Sequence, residues 1–394
     1  TLDFNFAAEK KLDPRITYTR TGPASFTDEF GKVILVSENV PRFDHDPVTR
    51  ECKGLLIETQ RINNNKSSVY QNNFTGWQVT RSVHQEYTSE TAPDGSSNVI
   101  LFSANTENSS HYAYVSHPGD NLTGTRSISA WFKNLSTTIY YPQLRIFGAG
   151  DGVAYANFVL TGDGTVNSGG NDKTGATITR YPNGWYKCTL SWNTTSTHYG
   201  GGWGVSNSAT AELPGFTGDA DITKGFLVYG FQDEAGANPS TYIPTYGRIQ
   251  TRGDDDLIID GEDFTDFINP SEGTIFADYK VIAEDPEIMY LSDGTAARRI
   301  GLYEAGSSQT RFLIGNSGTL ADTTDSAGTT VGDNIKAAGA YKLNDVAASK
   351  NGVISSTDTS VTIPDDIDRA YIGGYYDGTV EGVLGLRRLI YYQQ

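Results

Sequence analysis

Residues Trp185-Tyr-Lys-Cys-Thr-Leu-Ser-Trp192 put Tyr186, Cys188, Leu190 and Trp192 on one side of an extended chain, with Lys187, Thr189 and Ser191 on the other. That period of two is the mark of a β-strand with one face in a core. Ser127-Ile-Ser-Ala-Trp-Phe-Lys133, Asn157-Phe-Val-Leu160 and Gly225-Phe-Leu-Val-Tyr-Gly-Phe231 read the same way. Turn clusters separate them, among them Gly148-Ala-Gly-Asp-Gly152, Thr161-Gly-Asp-Gly164 and Tyr199-Gly-Gly-Gly202. No window of helix length shows a convincing apolar stripe. Short strands with Gly, Asp and Asn punctuation predict an all-β sandwich or barrel.

The same grammar restarts beyond residue 250, in Glu272-Gly-Thr-Ile-Phe-Ala-Asp-Tyr-Lys280, Ile288-Met-Tyr-Leu-Ser-Asp-Gly294, Arg298-Arg-Ile-Gly-Leu-Tyr303 and Gly385-Leu-Arg-Arg-Leu-Ile-Tyr-Tyr392. Two sandwiches of similar plan are therefore expected, over residues 76–250 and 251–394. All five tryptophans lie between Trp77 and Trp203, so the two cores differ. Residues 1–75 read as a third unit, with two strands and much irregular chain. It is too small and open to stand alone, and is expected to wrap on a sandwich or on a neighbouring subunit.

Composition narrows the function. Among 394 residues the formal net charge is −17, which repels a phosphate backbone and an acidic membrane surface alike. Nucleic acid is not an expected partner. No apolar run is long enough to cross a bilayer and no secretory leader is read, so neither membrane insertion nor a secretory route is expected. A neutral polysaccharide, a protein neighbour or a divalent cation fits the charge. Cys52 and Cys188 provide no disulfide framework, and two buried free thiols are the plainer expectation.

The densest chemistry lies in Val40-Pro-Arg-Phe-Asp-His-Asp-Pro-Val-Thr-Arg-Glu-Cys-Lys-Gly-Leu-Leu-Ile-Glu58. Counted from Asp44, the sixth position of a calcium loop would be Thr49 rather than glycine, and zinc would need more His or Cys at short spacing. The prolines at 41 and 47 instead bound a hairpin whose return strand is Gly54-Leu-Leu-Ile57. Arg42, Asp44, Asp46 and Glu58 are its structural residues, and Arg42 is expected to pair with Asp44 or Glu58. The acidic run Asp254-Asp-Asp-Leu-Ile-Ile-Asp-Gly-Glu-Asp-Phe-Thr-Asp266 reads plainly as a solvated loop. Its sharper reading is calcium, held by Asp254, Asp255 and Asp256. No strand alternates acids in the manner of a glycosidase pair, and no nucleophile elbow, P-loop or dinucleotide fingerprint occurs. No enzymatic activity is expected.

Pro41-Arg-Phe-Asp-His-Asp-Pro47, Cys52-Lys-Gly-Leu-Leu-Ile-Glu58 and Arg61-Ile-Asn63, with the lead-in Leu12-Asp-Pro-Arg-Ile-Thr-Tyr-Thr-Arg20, resemble a segment of tailed-bacteriophage virion proteins. In that family it precedes concanavalin A-like, or laminin-G-like, jelly-roll domains. Pro182-Asn-Gly-Trp-Tyr-Lys187, Gly230-Phe-Gln-Asp-Glu234, Pro239-Ser-Thr-Tyr-Ile-Pro-Thr245 and the terminal Arg387-Arg-Leu-Ile-Tyr-Tyr392 extend the resemblance along nearly the whole chain. It implies a virion-surface protein made in the bacterial host cytoplasm, with other virion proteins as partners. A tail-associated role in host-glycan recognition is expected first, a capsid decoration or head fibre second, a glycan depolymerase last. A homotrimer is the expected assembly for a tail appendage. Sugar binding would use exposed aromatics on pyranose faces, and Tyr199, Trp203, Tyr375 and Tyr376, beside glycine-rich turns, are the candidates. In that reading the Arg42 hairpin ties the N-terminal segment to the first sandwich.

Overall fold

The computed structural model describes residues 1–69, 76–115, 124–135, 140–147, 154–170, 173–194, 200–283, 285–305, 309–317, 319–324, 328–355 and 357–394. The chain is all-β and antiparallel, built as two sandwiches. In the first, one six-stranded sheet runs Lys173–Arg180, Tyr186–Thr194, Gly124–Asn134, Phe226–Ala235, Ile100–Ala104, Ser82–Glu86. Its partner sheet runs Thr165–Gly169, Tyr155–Val159, Tyr141–Phe147, Gly200–Ser206, His111–Val115, Trp77–Thr80. Sequence neighbours are interleaved between sheets in the manner of a jelly roll. The alternation of residues 185–192 is realised: Tyr186, Cys188, Leu190 and Trp192 enter the core with Trp77, Phe102, Trp203 and Phe231. On the other side of that sheet, Trp131, Trp185, Tyr229 and Tyr242 form a separate apolar cluster with Val33. Both cysteines are free; Cys188 is buried and Cys52 half-buried.

The second sandwich is not made from the C-terminal half alone. Its larger sheet runs Val353–Ile354, Asp345–Lys350, Asn334–Lys342, Glu272–Ala283, Val383–Tyr392, Cys52–Ile57, Phe43–His45, and Leu2–Phe4 also pairs with Val383–Tyr392. The facing sheet begins with Thr17–Thr19 and continues through Asp256–Asp260, Arg369–Ile372, Glu287–Ser292, Arg298–Ala305, Gln309–Asn316 and Thr319–Thr324. The register sets Leu2 against Tyr391 and Leu55 against Leu386. Leu2, Phe4, Phe6, Leu55 and Ile57 are buried in this core, each such side chain contributing about 1.5–3 kcal/mol.

Thr17–Thr19 joins the facing sheet, while Leu2–Phe4, Phe43–His45 and Cys52–Ile57 join the larger sheet, so much of the N-terminal segment wraps on the C-terminal sandwich. One expectation is corrected. The Phe43–His45/Cys52–Ile57 hairpin forms as read, but it joins that sheet rather than the first sandwich. The reason is physical: an extended segment with one apolar face needs a free sheet edge, and the edge available is that of Val383–Tyr392. The hairpin of Ala24–Thr27 with Val33–Val36 leans toward the first sandwich through Val33, and Asn63 and Asn65 donate to the Ile243 and Phe231 carbonyls there.

Candidate functional site

The charged residues of the 40–58 stretch meet at the seam between the sandwiches. Arg42 is fully buried. Its Nη1 donates to Glu58 Oε2 at 2.5 Å, Thr241 Oγ1 at 2.8 Å and the Ser25 carbonyl at 3.0 Å, and its Nη2 to Asp255 Oδ2 at 2.5 Å. Arg252 reaches Glu58 Oε2 at 2.9 Å. The Tyr18 hydroxyl donates to Asp255 Oδ1 at 2.6 Å and accepts from Arg20 at 2.6 Å. Burial alone would raise the Glu58 carboxyl, but Arg252 and Arg42 outweigh it and hold the group well below the usual carboxylate range. Of the two pairings expected for Arg42, the one with Glu58 forms. Asp44 instead accepts from Lys53 Nζ and from the Thr27 amide, both at 2.7 Å. Asp46 caps its turn by accepting from the Val48 and Thr49 amides at 2.8 Å. A cavity of about 170 Å³ abuts this seam, and its acidic walls are already paired: Asp44 with Lys53 and Glu58 with Arg252.

The calcium reading of Asp254, Asp255 and Asp256 is corrected by the same geometry. Asp255 is buried with its oxygens taken by Arg42, Tyr18 and the Glu58 amide. Asp254 Oδ1 accepts from the Gln60 amide at 2.5 Å. Asp256 lies on the surface, where partial desolvation of its carboxyl, with Asp254 and Asp255 beside it, pushes it up to about 6. The three carboxylates do not converge, and among the described residues no group of His, Cys, Asp and Glu is placed to hold a metal.

The four candidate aromatics separate. Trp203 is fully buried in the first core, 4.3 Å from Trp77 between ring centroids, so it offers no face to a sugar. Tyr199 lies outside the described residues. Tyr375 and Tyr376 sit together, half-buried, on the outer face of the second sandwich, with ring centroids 4.3 Å apart and planes inclined at 48°. Their turn is held firmly. The Tyr375 amide donates to the Thr379 carbonyl at 2.8 Å, and Ser292 Oγ donates to the Tyr376 carbonyl at 2.6 Å. Gly378 sits at φ +90°, a backbone that a side chain resists.

Strand alternation supplies the rest of the surface. Met289 and Leu291 point inward, so Tyr290 points out; Ile300 and Leu302 point inward, so Arg299, Gly301 and Tyr303 point out. Tyr290 packs under Tyr375 at 4.9 Å and beside Tyr303 at 5.7 Å. Its ring occupies the space over Gly301, where an added Cβ would lie 2.2 Å from Tyr290 Cε1. Arg299 lies over Tyr376, with Cζ 4.7 Å from the ring centroid and 6.0 Å from that of Tyr375. The result is an aromatic and guanidinium platform facing solvent. Burial raises the tyrosine hydroxyls 290, 303 and 375, so they remain protonated donors near neutral pH. Tyr290, Arg299 and Tyr303 were not singled out from sequence. Their signal was the outward parity of Arg299, Gly301 and Tyr303, but it names no neighbour across the sheet.

No protein-family model matches the chain, and no curated protein matches it. Among solved structures it is similar to domains LG4-5 of the mouse laminin alpha1 chain, at 10% identity and TM-score 0.26 over 73% of this chain and 88% of that one. It is similar to the LG1-3 region of the laminin alpha2 chain, at 9% identity and TM-score 0.21 over 72% of this chain and 60% of that one. It is also similar to a Trypanosoma rangeli sialidase, at 12% identity and TM-score 0.28 over 75% of this chain and 58% of that one. Likeness at this level carries neither ligand nor activity to this chain.

Proposed function

We propose that this protein is a non-enzymatic, tail-associated surface protein of a tailed-phage virion that recognises a host-surface glycan through the Tyr375–Tyr376–Arg299 platform. The observation that carries the reading is a solvent-facing pair of tyrosine rings on a braced turn, backed by Tyr290 and flanked by Arg299. Aromatic faces stack on the C–H faces of pyranoses, and rings already held in place lose little freedom on binding. The virion setting rests on the resemblance carried by residues 12–20, 41–63, 182–187, 230–245 and 387–392. Assembly as a homo-oligomer with other virion proteins belongs to the same proposal. The test is a glycan array probed with the wild type and with Tyr375→Ala/Tyr376→Ala. Binding that the double variant loses supports the reading; binding that it retains removes this site. Release of reducing ends from a bound polysaccharide would replace recognition with depolymerisation.

A capsid-decoration role is favoured by a different observation. Val353 and Ile354 are 69% and 71% exposed on the terminal strand of the larger sheet. An open apolar edge of this kind pairs readily with a neighbouring chain. Imaging intact particles separates the two, since tail density supports recognition and density on the capsid lattice supports decoration.

A further inference from the structure

We infer that the platform selects a sugar bearing a carboxylate, a uronic or nonulosonic acid residue, and that Arg299 receives that carboxylate. The inference rests on the glycan reading of Tyr375 and Tyr376 and names its ligand class. Acids outnumber bases in this chain, 47 to 30, and the arginines around the platform have each found one. Arg298 pairs with Asp366 at 2.9 Å, Arg311 with Asp322 at 3.1 Å and Arg369 with Asp368 at 2.7 Å. Arg299 has no carboxylate partner among the described residues. Its guanidinium lies instead against the faces of Tyr375 and Tyr376. A guanidinium without a counter-charge in an acidic chain is what a bound anion would satisfy.

The chemistry chooses the ligand. A guanidinium stacked on a ring is held in plane, with its N–H fork available to a two-oxygen acceptor, and a carboxylate matches that fork. One cation balances one carboxylate; a dianionic phosphate would want a second cation, and the neighbouring arginines are committed. The protein's overall negative charge does not forbid this contact, because exposed charges beyond about 8 Å are screened at physiological salt. Of the nearby acids, Asp377 turns an oxygen to the Thr379 amide at 3.1 Å. Glu287 is pushed up to about 7 by burial, so it carries only part of a charge near neutral pH.

The test titrates the full chain with uronic-acid and nonulosonic-acid oligosaccharides and with their carboxyl-reduced counterparts, at fixed ionic strength. Wild type is expected to bind an acidic form about tenfold or more tightly than its reduced form, and Arg299→Gln to remove that difference while its melting temperature stays unchanged. The preferred arm identifies the acid. Equal binding of acidic and reduced forms overturns carboxylate recognition and leaves the stacking reading standing. Binding of neither form, on an array where Tyr375→Ala/Tyr376→Ala also changes nothing, overturns both. Because the reduced oligosaccharides alter the ligand alone, the result does not depend on how a variant folds.

Discussion

Arg42 Nη2 lies 2.5 Å from Asp255 Oδ2, although the residues stand 213 positions apart. Arg42 belongs to the N-terminal hairpin, Asp255 to the entry of the second sandwich, and Thr241, on the same guanidinium, to the end of the first. One buried side chain therefore joins parts of the molecule that are distant in sequence. Removing it leaves buried Glu58 with Arg252 as its one cation at 2.9 Å and buried Asp255 with Arg20 at 3.5 Å.

Arg42→Ala should accordingly cost about 3–5 kcal/mol, the range for breaking a buried ion pair from one side. Asp255→Asn in the same background should cost much less than it does alone, because the partners act as a unit. Denaturant unfolding of the two single variants and the double variant measures this. Additive losses would mean the network is not coupled.

Stability should also depend on pH with two opposed slopes. Glu58 is depressed in the folded state, so its contribution is present above the ordinary carboxylate pKa and is lost as pH falls through its folded value. Glu287 is raised by burial to about 7, so the stability it lends at low pH is lost as pH rises from the ordinary range toward 7. Glu287→Gln should then stabilise the protein at pH 8, by up to about 3 kcal/mol, and do little at pH 4. Melting temperatures across that range decide it; an equal effect at both ends would place the cause elsewhere.

The first strand should be indispensable to the last. Phe4 is 4% exposed in the second core and Leu2 pairs with Tyr391. Phe4→Ala should cost about 3–5 kcal/mol, and removal of residues 1–9 should leave the Val383–Tyr392 strand open to proteolysis. A truncated chain as resistant as the full one would show that this strand contributes little.

At the platform, Gly301→Val should displace Tyr290 and with it the support under Tyr375. A stability cost of about 1–3 kcal/mol is expected from overpacking, together with loss of glycan binding in protein that still folds by circular dichroism. Unchanged binding would mean that Tyr290 does not brace the site.

Much of this protein could be read locally. The period-two alternation of 185–192, 127–133 and 225–231 reappears as strands whose apolar faces line one core. The proline-bounded hairpin and the Arg42–Glu58 pair also lay within reach, because their partners are close in the chain. Tyr375 and Tyr376 stood out as adjacent aromatics beside a glycine turn.

By itself, then, the sequence determined the all-β character, the repeated strand grammar and the residues able to bear charge or stack on a ligand, since each depends on side-chain parity and turn chemistry within a few residues. Tertiary structure alone decided that Leu2–Phe4, Phe43–His45 and Cys52–Ile57 complete the C-terminal sheet, that Asp255 faces Arg42 and not a metal ion, that Trp203 is core, and that Arg299 lies on Tyr376. Alternation states that a strand has an inner face and an outer one. Which strand lies beside it is settled by competition among all free edges for hydrogen bonds and apolar cover, a contest no local segment records.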